Sequence, residues 1–210
     1  MLTKRRETGS TLTIAAIALI AGTAAFASGQ EFSLSIVGLP LTVDTTSGPR
    51  TITFDVIGDA SVGTHMLGGS FAVESNSGFI TDMSWDSAAW DQFPTDGGYA
   101  GNGNYDQVIF GQLVIPGVPP FDVPGPGSEL GGVIGTFSVT IGHFTCGTID
   151  FNLVAQDPFT LEVVDVNTGK FYRSSDGNLA LNGASIFVLP TPSTLAVAGL
   201  AAVITVRRRR

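Results

Sequence analysis

LGGVIGTFSVTI, residues 130–141, and GTIDFNLVA, residues 147–155, form the stretch of sequence that decides the fold. In both segments large apolar residues alternate with small or polar ones. The apolar members are Phe137, Val139, Ile141, Ile149, Phe151 and Leu153. A period of two residues places such side chains on one face of an extended strand. The two segments therefore predict neighbouring β-strands, each with one apolar and one polar face.

The same alternation extends along the chain. In Arg50–Ile57 the apolar residues Ile52, Phe54 and Val56 share one face. Further predicted strands are Phe32–Val37, Gly69–Glu74, Phe79–Trp85, Gln107–Ile115, Phe159–Val166, Lys170–Arg173 and Leu179–Val188. Turn-forming residues separate them, and many short strands with one polar face each pack as two sheets. The sequence predicts an all-β, two-sheet antiparallel β-sandwich, with a single helical turn at Asp86–Phe93.

This plan of strands resembles the cohesin-like and carbohydrate-binding-module-like sandwiches of bacterial surface proteins. The resemblance is carried by a strand that leads into an aspartate, Thr51–Asp55, by the pair at 130–141 and 147–155, and by a closing strand at Ala184–Val188. It implies a jelly-roll-like architecture over most of the chain. It contains no diagnostic motif and implies no particular ligand.

The N-terminus has the three parts of a secretory signal peptide. Basic residues at Lys4–Arg6 precede an apolar run, Thr11–Ala25, and an A-x-A site formed by Ala25 and Ala27. This order predicts cleavage after Ala27. Residues 1–27 are therefore interpreted as a signal peptide helix, and residues 28–188 as the sandwich domain.

Residues 189–210 form a second targeting element. Two prolines flank Thr191, an uncharged apolar run follows at Thr194–Val206, and four arginines come last. The prolines keep the first part extended. The apolar run gives only about 20 Å of helix, which makes a marginal membrane anchor. The terminal arginines favour the cytoplasmic side of the membrane.

This tail resembles the PEP-CTERM sorting signal of exported bacterial proteins, with Thr191 where that family usually has Glu. The carrying residues are Pro190, Thr191, Pro192, Arg207, Arg208, Arg209 and Arg210. The resemblance implies the export machinery and an exosortase-type processing enzyme as partners. It also implies transient anchoring in the inner membrane by the C-terminal hydrophobic helix, and a final location at the cell surface, in the outer membrane or outside the cell. The alternative is an ordinary tail anchor.

Charge excludes one class of partner. Residues 28–188 hold three basic residues against seventeen acidic ones, a net charge of −14. Such a domain repels phosphate, so we expect no nucleic acid binding.

The single cysteine, Cys146, rules out an intrachain disulfide, and its apolar context favours a buried packing residue.

Two candidate sites fall in Asp82–Asp106. Asn102, Asn104 and Asp106 place oxygen side chains at alternate positions, a spacing that suits Ca²⁺, although a solvated turn explains the same residues. No other cofactor is indicated. Four aromatic residues could also stack on sugar rings, or plug the core of the sandwich. They are Trp85, Trp90, Tyr99 and Tyr105.

Catalysis has no support in the sequence. His65 and His143 are the only histidines, and no nucleophile elbow or zinc-protease motif is present. We therefore expect a non-catalytic protein of the cell surface or extracellular matrix. The alternative is a surface-held carbohydrate-binding module that recognises extracellular polysaccharide, either with or without a requirement for bound calcium.

Overall fold

The computed structural model describes residues 29–143 and 145–189. These residues form fourteen strands and one short 3₁₀ helix, Ser174–Asp176. The strands are β1 (Glu31–Val37), β2 (Thr42–Asp44), β3 (Arg50–Ala60), β4 (His65–Glu74), β5 (Ile80–Ser87), β6 (Thr95–Asp96), β7 (Tyr99–Gly101), β8 (Asn104–Gly111), β9 (Val133–Ile141), β10 (Gly147–Ala155), β11 (Glu162–Asp165), β12 (Lys170–Arg173), β13 (Asn178–Asn182) and β14 (Ala184–Leu189).

The first sheet has five strands in the order β13-β1-β3-β9-β5. Its centre is the antiparallel pair β3 and β9, in which Phe54 lies directly opposite Phe137. Both rings are buried, as the two-residue alternation predicts.

The second sheet has nine strands, and β4 is its hub. One edge of β4 pairs with β11 near His65–Gly68 and with β10 near Phe71–Glu74. The other edge pairs with β8, which in turn pairs with β6 and β7. Beyond β10 the sheet continues through β14 to β2.

Aromatic rings from both sheets fill the space between them. Phe54 of β3 lies 5.1 Å from Phe151 of β10, and Phe137 of β9 lies 6.4 Å from Phe71 of β4, measured between ring centroids. The apolar residues singled out in residues 50–57, 130–141 and 147–155 are all buried. The prediction of an all-β, two-layer sandwich is confirmed.

The prediction that both sheets are purely antiparallel is wrong. Strand β1 pairs in parallel with β13, and β2 pairs in parallel with β14. Both pairs join strands from opposite ends of the domain, so no hairpin turn sets their relative direction. The alternation of side chains is the same in parallel and antiparallel strands, and it therefore carries no information about direction.

Other expectations have mixed outcomes. The turn at residues 167–169 does join β11 to β12. The segment 86–93 ends β5 and makes one hydrogen-bonded turn, from Asp91 N–H to Ala88 O at 2.9 Å. Several predictions concern residues outside the described part of the chain. They are the signal peptide with its cleavage site at Ala25 and Ala27, the sorting signal at residues 190–210, and both flanking helices. Nowhere in 29–143 or 145–189 is there a helix long and apolar enough to cross a membrane.

Candidate functional site

The aromatic residues proposed as a sugar platform do not share an exposed surface. Trp90 is 4% exposed and Tyr105 is 2% exposed, while Trp85 and Tyr99 are half-buried. Trp90 donates from its indole nitrogen to Val133 O at 2.9 Å. The platform hypothesis is therefore corrected for Trp90 and Tyr105, because a buried ring cannot stack on a sugar.

These rings instead complete the core. Trp85 lies 4.7 Å and Tyr105 lies 5.0 Å from the ring of Phe137. The hydroxyl of Tyr105 lies 2.5 Å from Asp96 Oδ1. Burial, helped by this hydrogen bond to a carboxylate, raises the pKa of Tyr105 above its ordinary value. Tyr99 donates from its hydroxyl to Ile80 O at 2.7 Å, which ties the β7 segment to β5.

The calcium candidates also have structural roles. Asn102 lies in the turn between β7 and β8 with a φ of 53°. The side-chain oxygen of Asn104 accepts hydrogen bonds from the backbone N–H groups of Ser75 and Asn76, both at 3.0 Å. Asp106 is exposed on β8. Because both lone pairs of the Asn104 oxygen are used within the protein, the arrangement does not favour a metal site formed with Asn102 and Asp106.

No catalytic cluster is visible in the described part of the chain. Within it, no group of three or more His, Cys, Asp or Glu side chains is placed to hold a metal ion. His65 Nδ1 lies 3.0 Å from Thr64 Oγ1, and His143 Nε2 lies 3.2 Å from Thr46 O. Cys146 is exposed, which corrects the expectation of a buried packing residue. It lies just before the first residue of β10.

A groove on the outer face of the second sheet is the strongest candidate site. Its floor is formed where Gly68 of β4 lies directly opposite Gly111 of β8. Phe110 is buried in the core, so the neighbouring Gly111 faces outward. Two opposed glycines leave the sheet bare of side chains at this point. The resulting groove has a volume of about 540 Å³.

Three phenylalanines line the sides of the groove. Phe93 is 58% exposed, Phe159 is 53% exposed and Phe171 is 50% exposed. Ile109 and Leu113 add to the apolar lining. We call the site formed by Gly68, Gly111 and the three rings the phenylalanine groove.

The wall at Phe159 is held by hydrogen bonds to the sheet. The hydroxyl oxygen of Ser70 lies 2.8 Å from Phe159 O and accepts from Phe159 N–H at 3.2 Å. The same hydroxyl contacts Gln156 O, and the side-chain amide of Gln107 donates to Asp157 O. Ser70 is only 6% exposed, so this anchor is buried beneath the loop.

The wall at Phe93 is held in the same manner. The backbone N–H groups of Gln92 and Phe93 donate to Gly111 O at 2.7 and 3.2 Å. Asp91 Oδ1 accepts from Gly111 N–H at 2.8 Å. The segment 91–93 is therefore tied to the end of β8, which places the backbone of Phe93 at the rim of the groove.

One ion pair supplies the charged groups of the groove. Arg173 Nε lies 2.8 Å from Glu162 Oε1, and their side chains are 60% and 34% exposed. Both residues line the groove, Glu162 on β11 and Arg173 opposite it on β12. The pair brings one positive and one negative charge, so the groove itself is electrically neutral. It combines ring surfaces with hydrogen-bonding groups and contains no nucleophile beside a base, an arrangement suited to binding.

The chain is similar in fold to bacterial cohesin modules. A type I cohesin of Clostridium thermocellum, solved in a cohesin–dockerin complex, matches with a TM-score of 0.46 and 10% identity, over 75% of this chain and 99% of that one. The third ScaC cohesin of Acetivibrio cellulolyticus, solved with the ScaB dockerin, gives 0.44 and 14%, over 76% and 99%. A cohesin module of a family 33 glycoside hydrolase from Clostridium perfringens gives 0.42 and 14%, over 75% and 96%.

No protein-family model and no curated protein matches the sequence. The similarity to cohesin modules therefore rests on shape, and identities of 10–14% transfer no binding residue or partner from them.

Sequence reasoning missed the phenylalanine groove. Phe159 and Phe171 lie in the predicted strands Phe159–Val166 and Lys170–Arg173, and nothing in the sequence pattern marks them as part of a binding site. The available signal was glycine: Gly111 lies inside the predicted strand Gln107–Ile115, and Gly68 and Gly69 lie at the start of the predicted strand Gly69–Glu74. Glycine within a strand often marks a close approach by another group.

Proposed function

We propose that this protein is an exported, non-catalytic binding module of the cell surface or extracellular matrix, which serves adhesion or matrix structure. The observation that carries the proposal is the phenylalanine groove, an open site with ring walls and no reactive cluster. Apolar sites with a few convergent polar groups are the usual form of a binding site.

Export and processing are supported by the sequence. A signal peptide pattern with Ala25 and Ala27 precedes the sandwich, and the pattern of Pro190, Thr191, Pro192 and four terminal arginines follows it. On this proposal the export machinery delivers the chain, and the apolar segment holds it transiently in the inner membrane. An exosortase-type enzyme then cuts near Pro190–Pro192, leaving the sandwich at the surface, in the outer membrane or outside the cell.

Intact-mass analysis with cell fractionation tests this proposal. Protein recovered from the producing cells and their medium should lack residues 1–27 and the final arginines. Pro192→Ala should retain the tail and accumulate in the inner-membrane fraction. Pro124→Ala, which changes a loop of the sandwich, is the control and should be processed normally. A cytoplasmic protein that keeps Arg207–Arg210 would refute the proposal.

A second candidate, a surface-held carbohydrate-binding module, is favoured by the same groove. Half-exposed rings beside an arginine and a glutamate suit a ligand with both apolar faces and hydroxyl groups. A calcium requirement has no support in the geometry of Asn104.

A further inference from the structure

The chemistry of the phenylalanine groove limits what can bind there. Phe93, Phe159 and Phe171 offer apolar ring surfaces, each about half exposed to solvent. Arg173 and Glu162 offer several hydrogen-bond donors and two acceptor oxygens at the same site. A ligand that uses both must have flat apolar faces edged by hydroxyl or similar groups. Pyranose rings have this form, with C–H bonds on their faces and hydroxyls around the rim.

Electrostatics favour an uncharged ligand. Residues 28–188 carry a net charge of −14, so the domain repels polyanions and anionic membranes. Within the groove, the single positive charge of Arg173 is already paired with Glu162 at 2.8 Å. An acidic polymer would therefore meet a repulsive domain and no free cation in the groove.

The size of the groove favours a ligand over a folded partner. Its volume of about 540 Å³ lies within the range of about 300–1,000 Å³ that is usual for ligand sites. A stable protein interface needs about 1,200 Å² or more of buried surface, which this groove alone does not provide.

The backbone that carries each ring is held by the fold. Ser70 anchors the loop that carries Phe159, and Gly111 anchors the segment that carries Phe93. Phe171 lies on β12, which is paired with β11. A backbone held in place loses little conformational freedom on binding, so weak contacts to sugar rings can add up to useful affinity.

We propose that the phenylalanine groove binds a neutral polysaccharide, with sugar rings against Phe93, Phe159 and Phe171 and hydroxyls bonded to Arg173 and Glu162. This inference rests on the proposed function, because it assigns a ligand class to the exported module. None of Trp85, Trp90, Tyr99 and Tyr105 lines this groove.

The test is a binding assay with the full chain. Pull-down on insoluble cellulose and chitin, and affinity electrophoresis in mannan and a β-1,3-glucan, cover neutral polymers of different linkage. Alginate serves as the acidic comparison. We expect binding to at least one neutral polymer and none to alginate. Phe93→Ala, Phe159→Ala and Phe171→Ala should each weaken binding about tenfold, the effect of losing one ring contact.

Two further variants complete the design. Phe187→Ala removes a ring of similar exposure, 45%, from β14 and should leave binding unchanged. Gly111→Ala fills the floor without touching the rings. Its Cβ would lie 3.3 Å from Leu67 O, so the fold needs only a small adjustment, and binding should fall.

Three results would overturn the inference. They are a wild-type protein that binds none of the four neutral polymers, unchanged binding in the ring variants, and ring-dependent self-association without sugar binding. Export is measured separately by fractionation. An exported protein that binds none of the four polymers would refute the inference and leave the export part of the proposed function in place.

Discussion

Replacing Phe137 by alanine tests whether the aromatic residues form one packed core. Phe137 is fully buried, and its ring lies 4.7 Å from Trp85, 5.0 Å from Tyr105 and 5.2 Å from Phe54. A buried Phe→Ala change usually costs about 3–5 kcal/mol. This range is a total that includes lost ring contacts, which are worth about 0.5–1.5 kcal/mol per pair. Because Phe137 packs against three rings, we expect a loss in the upper part of the range, about 4–5 kcal/mol.

The measurement is urea denaturation together with thermal unfolding. For a domain of this size the loss corresponds to a drop in Tm of about 8–20 °C. Phe121→Ala, at a ring that is 45% exposed, is the control and should cost about 0.5 kcal/mol. If Phe137→Ala fails to fold, Phe137→Leu keeps most of the volume and should cost about 2 kcal/mol or less. A cost for Phe137→Ala no larger than that of Phe121→Ala would refute the shared aromatic core.

Gly135→Ala should destabilise the sandwich by about 1–3 kcal/mol, because its Cβ would lie 2.3 Å from Cζ2 of Trp85. Gly78→Ala has open space and should change the free energy of unfolding by about 0.5 kcal/mol at most in the same denaturation assay. Hydrogen bonds from Thr168 and Asn167 lower the pKa of Asp165, so its contribution to stability is present at neutral pH and is lost as the pH falls below about 4. Asp165→Asn should therefore lower the Tm at pH 7 and differ little from wild type near pH 2. Chelation by EDTA should leave the Tm unchanged, since the Asn104 oxygen is already bonded twice; a drop of several degrees would restore the calcium hypothesis.

Alternation predicted the core well because burial in a sandwich follows the two-residue period of the strand. The alternation in the sequence places Phe54, Phe137 and Phe151 on apolar faces, and all three lie between the sheets. Strand direction was not predictable in the same way. The parallel pairs β1–β13 and β2–β14 join residues far apart in sequence, and no local feature specifies their orientation.

The candidate site was harder to predict, for a physical reason. The sequence around a large aromatic residue near a polar loop looks the same whether the ring is buried in the core or exposed to solvent. In the structure Trp90 and Tyr105 are buried, whereas Phe93 and Phe159 are exposed. What separates the two groups is the local strand register and the hydrogen bonds of the loops, which depend on tertiary structure.

Strand alternation also explains how one sheet can provide both core residues and the outward-facing residues of the proposed binding groove. On β8, Val108 and Phe110 point inward and are buried, while Ile109 and Gly111 point outward and line the groove. Neighbouring positions along the strand therefore serve the two faces separately. A change at Gly111 alters the floor of the groove without removing a core contact, whereas a change at Phe110 removes a ring that packs 6.0 Å from Trp90. The ligand preference of such a sandwich can consequently vary through its outward residues while the inward residues maintain the fold.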